Sequence, residues 1–138
     1  MVRVEREFRA AALAVGRLAK DMLPDPTILG MANVVPADVR ACGAGLEDTY
    51  LVRMFAVFEE ALREVRRVVY GRAGPVQTYV LLNQCASRQK IKSDDLENAH
   101  RVREFRNTIV HGGDASPVTV PQARKWLCTF FGSMPKQW

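Results

Sequence analysis

The chain has 138 residues, 20 Lys and Arg against 15 Asp and Glu, and 48% hydrophobic residues. That length suits one domain, and the apolar fraction is too high for a disordered chain. Three scattered cysteines do not make a disulfide scaffold, and no uncharged apolar run approaches the length that crosses a bilayer. The net charge of +5 is uneven: residues 1–71 carry 10 basic and 10 acidic groups, residues 72–138 carry 10 and 5. A basic excess on one half suits an anionic partner such as nucleic acid, and it equally suits ordinary solubility. The N-terminus mixes Glu5 and Glu7 with Arg3, Arg6 and Arg9, which does not fit an export signal, so a soluble cytoplasmic protein without membrane association is expected.

In chain order, Val4, Phe8, Ala11, Ala12, Val15, Leu18, Ala19 and Met22 recur at three- and four-residue steps and predict a helix over Val4 to Leu23, stopped by Pro24-Asp25-Pro26. Residues 27–44 are mixed, with Gly30, Pro36, Gly43 and Gly45 read as breaks and room for a short helix from Pro36 or Ala37. The strongest pattern predicts a helix from Leu46 to Tyr70. Tyr50, Leu51, Met54, Phe55, Val57, Phe58, Ala61, Leu62 and Val65 lie on one side, and charges such as Glu59 with Arg63 and Glu64 with Arg67 are spaced to pair on the other.

Thr78 to Ile91 reads as a helix, although Tyr79-Val80-Leu81-Leu82 also fits a buried strand. Ser93 is the expected N-cap of the next helix, with Asp94 and Asp95 in the first turn and a stop at Gly112-Gly113 after His111. The last helix is expected from Thr119, with Gln122 as capping-box partner and Pro121 in the first turn. The whole is an all-α fold, an antiparallel bundle of four to six helices forming one domain over residues 1–138.

The segment Glu104 to Gly112 carries the chemistry. At about 100° per residue, Ala99, Val102, Phe105, Ile109 and Val110 share an apolar arc. Arg106 falls inside that arc, where a guanidinium is costly unless it meets a carboxylate, water or an anion. Asn107, His100 and His111, which include both histidines of the chain, fall together beside it. A permanent cation, an amide and imidazoles suit a phosphodiester. Arginine binds phosphate oxygens in pairs and stabilises developing charge, and histidine moves a proton at neutral pH without a metal.

Arg106-Asn107-Thr108-Ile109-Val110-His111 resembles the R-x4–6-H signature of the HEPN superfamily, including the polar residue after the arginine and the glycine after the histidine. Phe55 to Arg63 is similar to the earlier amphipathic helix of such proteins, and the likeness covers about residues 45–131. The resemblance implies a helical domain that dimerises. It further implies a metal-independent endoribonuclease whose two motifs form one composite cleft across a homodimer. Carried over by position, Arg106 would hold the phosphate, His111 would transfer protons and Asn107 would support them. Attack by the 2′-hydroxyl would leave a cyclic phosphate.

Some relatives are toxins or defence effectors paired with a nucleotidyltransferase antitoxin and carry a tyrosine two residues after the histidine. Gly113 stands there in this chain, so control through that tyrosine is not expected. Other relatives keep the fold as a non-catalytic binding module, which is the alternative reading; a third is a nucleic-acid binder using the basic half.

Arg88, Lys90, Lys92 and Arg103 are the candidate RNA-binding cations. The competing structural roles are an Arg106 ion pair with Glu59 or Glu60, a His111 that serves the helix C-terminus, and a His100 on the surface. No metal site or cofactor is expected. Cys42, Cys85 and Cys128 lack ligand spacing, and Cys42-Gly43-Ala44-Gly45 lacks the lysine of a phosphate loop.

Overall fold

The computed structural model describes residues 1–136, apart from the side chains of Pro26, Met31 and Ala32. Five α-helices pack together: α1 (Val2–Asp21), α2 (Pro36–Tyr70), α3 (Thr78–Gln89), α4 (Ser93–His111) and α5 (Val120–Gly132). A 3-10 helix, Pro26–Ala32, joins α1 to α2, and the described residues include no strand. Among them, no helix is long and apolar enough to cross a membrane.

The long helix α2 is the central post, in contact with α1, α3, α4 and α5. Leu51, Met54, Phe55, Phe58, Leu62 and Val65 are its buried stripe. Phe58 packs its ring against Phe55, Phe130 and Phe131 at centroid distances of 5.9, 5.8 and 6.5 Å, which fastens α5 to α2. Leu81, Leu82 and Cys85 of α3, with Ala99 and Val102 of α4, complete one continuous core with Val4, Val120, Ala123 and Leu127.

Three expectations about the elements are corrected. Gly43 and Gly45 do not break the chain; α2 runs through both and is 35 residues long. An interior glycine costs a helix only about 0.5–1 kcal/mol, which the packing of α1 along this segment offsets. At Gly43 the two helices come close: a Cβ there would lie 3.4 Å from Val15 Cγ1. Ser93 is the first helical residue rather than the cap, which is Lys92. Val57 and Val110, assigned to apolar faces, are 39% and 47% exposed.

Other expectations match. The predicted stripe of the first helix, Val4, Phe8, Ala11, Ala12, Val15, Leu18, Ala19 and Met22, is buried or half-buried. Tyr79–Leu82 is helical. Thr119 caps α5, its hydroxyl accepting from Gln122 N–H while Gln122 Oε1 accepts from Thr119 N–H at 3.0 Å. At the end of α4, Gly112 has φ +79° and Gly113 φ +119°, backbone that a side chain would strain. Gly112 N–H closes the last turn on Thr108 O at 2.9 Å.

Candidate functional site

The site is built on α4 and on the start of α3. Val102, buried, anchors α4 to the core, while Phe105 and Ile109 pack against its edge. Arg106 therefore rides half-buried between Phe105 and Asn107 at the border of the core. Its Nη1 donates to Asn107 Oδ1 at 3.0 Å, so the cation and the amide form one unit.

Together with Phe55, Gln77, Thr78, Tyr79 and Arg103 they line a cleft of about 330 Å³. Two guanidiniums, the amides of Gln77 and Asn107 and the hydroxyls of Thr78 and Tyr79 thus line a single space together with the Phe55 ring. The arrangement can hold an anionic oxygen group by charge-assisted hydrogen bonds.

The carboxylate nearest in influence is Glu59 of α2. It accepts from Arg63 Nη2 at 2.6 Å and from the Thr78 hydroxyl. Burial alone would raise its carboxyl, yet those two donors, with the positive charges of Arg63 and Arg106, hold it below the usual carboxylate range. Glu59 is thus engaged by other donors, and no ion pair joins Arg106 to Glu59 or Glu60 among the described residues. Both donors meet Glu59 at Oε1, while the hydrogen bond of Arg106 runs from Nη1 to Asn107 and leaves its other N–H groups for a ligand.

His111 is the last residue of α4 and is exposed. It sits one helical turn beyond Asn107, on the same edge, and is not among the residues lining the Arg106 cleft. Asn107 also lines a second cleft of about 660 Å³ with Arg101, Glu104, Asp114 and Trp126, whose carboxylates make it less hospitable to phosphate.

His100 is not the surface residue the sequence suggested. It is half-buried, with its ring 4.9 Å from that of Tyr79 and its Nε2 3.3 Å from Asn83 Nδ2. Burial first, and then the positive charge of Arg103, push its pKa below the ordinary imidazole value. The helical wheel of α4 alone could not show α3 docking there.

Of the four candidate RNA-binding cations, Arg103 lies in the Arg106 cleft, its guanidinium 5.5 Å from the centre of the Tyr79 ring. Arg88 lines an adjoining cleft of about 400 Å³ with Arg72, Tyr79, Val80, Asn83, Gln84 and Ser87, and its guanidinium stands 4.6 Å over Tyr70. Lys90 and Lys92 are exposed in the turn between α3 and α4, outside both clefts.

Sequence reasoning missed Tyr79, Arg72, Gln77 and Thr78. Tyr79 carried a signal, since a large aromatic beside Thr78 and Val80 in the first turn of a helix is open to several roles. Among the described residues, no group of three or more His, Cys, Asp or Glu is arranged to hold a metal ion.

No family model, curated protein or solved structure matches this chain.

Proposed function

We propose that this chain is a HEPN-like, metal-independent endoribonuclease acting as a homodimer. The observation that carries the reading is the Arg106–Asn107 unit in a basic cleft with Arg103, followed one turn later by the exposed imidazole of His111. Arg106 and Arg103 take the two non-bridging phosphate oxygens and stabilise the charge that builds on them. The 2′-oxygen attacks phosphorus, the bond from phosphorus to the 5′-oxygen breaks, and a 2′,3′-cyclic phosphate and a 5′-hydroxyl result.

One proton must leave the 2′-hydroxyl and one must reach the 5′-oxygen, and imidazole can do either. The exposed position of His111 at the end of α4 supports a composite site, in which the histidine of a second copy reaches the phosphate held by the first. A cytoplasmic setting and a nucleotidyltransferase-type antitoxin partner belong to the same reading.

The same position of His111, outside the cleft that holds Arg106, favours a second reading: a non-catalytic module of the same fold that binds RNA or a nucleotide there. The test is cleavage of a mixed RNA pool by purified protein in chelator, beside His111→Ala. Cleavage by the parent alone, with cyclic phosphate ends, is the expected result. Equal cleavage by both would remove His111 from the mechanism, and no cleavage with retained binding would favour the module.

A further inference from the structure

We infer that Tyr79 is a platform on which an unpaired nucleobase stacks, and that a single RNA strand runs from Arg88 and Arg72 across Tyr79 into the Arg103–Arg106 cleft. This inference rests on the reading above that RNA is what the cleft takes.

Tyr79 lines both clefts and so joins them. It is 53% exposed. Its ring meets His100 and Arg103, which stand three residues apart on one face of α4. The ring is thereby held in place while about half of the residue stays open to solvent. A base landing on a ring that is already fixed loses less entropy than one that must order a free side chain. Val80, 36% exposed, extends the apolar surface beside it.

Tyr79 shares one cleft with Arg103 and Arg106 and the other with Arg72 and Arg88. Arg72 belongs to a loop that Arg66 fastens, its Nη1 donating to Arg72 O at 3.2 Å and to Gly74 O at 3.0 Å. Alternating cations and an aromatic face fit a phosphate backbone with one base turned inward. Gln84, beside Tyr79 in the same cleft, offers an amide group to a base edge. A duplex hides its base faces inside the stack, so only an unpaired strand can use Tyr79.

The probe is a fluorescent single-stranded 2′-O-methyl RNA of eight mixed nucleotides, which 2′-hydroxyl attack cannot cut, beside a duplex of the same sequence. Binding is measured by anisotropy with the full chain. Tyr79→Ala is expected to weaken single-strand binding roughly 5- to 150-fold, while Tyr79→Phe stays within about threefold of the parent. Duplex binding should not change with either variant.

Parent-like affinity of Tyr79→Ala for the single strand would overturn the inference, as would equal loss for strand and duplex, or no binding of the strand by the parent. Tyr79→Phe keeps the ring and the fold, so a loss with that variant as large as with Tyr79→Ala would also refute stacking. RNA cleavage is measured separately on ordinary RNA. The platform can therefore fail while the nuclease reading stands, and the nuclease reading can fail while Tyr79-dependent binding stands.

Discussion

Replacing Arg106 with alanine should cost far more activity than stability. The structure sets both magnitudes. On the folding side, Arg106 contributes one hydrogen bond, to Asn107, and its charge is the last of the influences that hold Glu59 low, behind Thr78 and Arg63. Deleting it leaves Glu59 with both of its donors. The loss is therefore one net hydrogen bond, about 0.5–1.5 kcal/mol, and a partly buried aliphatic stem. A buried ion pair broken on one side would instead cost about 3–5 kcal/mol.

On the catalytic side, removing one preorganised donor to a developing oxyanion costs about 2.7–4 kcal/mol, or roughly 100- to 1000-fold in rate. Urea unfolding and RNA cleavage in chelator, on the same preparation, measure the two quantities. Arg106→Lys keeps the charge and loses the planar fork, so it should recover only part of the rate. A destabilisation of about 3 kcal/mol or more with Arg106→Ala would make the guanidinium a structural ion after all. Cleavage at the parent's rate would take it out of the site.

Three further outcomes follow from the structure. Gly45→Ala should stabilise the chain by about 0.5–1 kcal/mol, read as a raised urea midpoint, because Gly45 lies inside α2 with no heavy atom within 4 Å of an added Cβ. The matching change Gly112→Ala should destabilise, since its φ is +79°. His100, whose folded pKa lies below its ordinary 6.5, should make the fold acid-sensitive. The unfolded chain takes up the proton first, so this stability is complete above about pH 6.5 and declines as pH falls from there through the folded value. His100→Gln should flatten that part of a stability-against-pH curve, and an unchanged curve would refute the assignment.

The helices were legible where the sequence carries its own punctuation. Thr119 and Gln122 supply reciprocal hydrogen bonds from within four residues, and Gly112-Gly113 supplies the backbone that ends α4, so both ends could be read without knowing any neighbour. Gly43 and Gly45 misled for the opposite reason. Their effect on the chain depends on α1, which packs along this part of α2 and approaches Gly43 through Val15. Val110 misled because it stands at the margin of the apolar arc, where periodicity does not decide between core and water.

The candidate site divides along the same line. Arg106, Asn107 and His111 share one helix, so spacing alone puts the amide and the imidazole one turn apart and the guanidinium at the core's border. What surrounds them comes from other helices. Thr78 and Arg63 both donate to Glu59, and Tyr79 lines both the cleft that holds Arg88 and the cleft that holds Arg103 and Arg106.

The reading of His100 turned on this as well: on its own helix it belongs beside His111, but α3 covers it and lowers its affinity for a proton. A chain with two histidines therefore keeps one of them half-buried against an aromatic ring and leaves the other exposed at a helix end. The choice of His111 over His100 in the proposed mechanism therefore rests on α3 as much as on the motif.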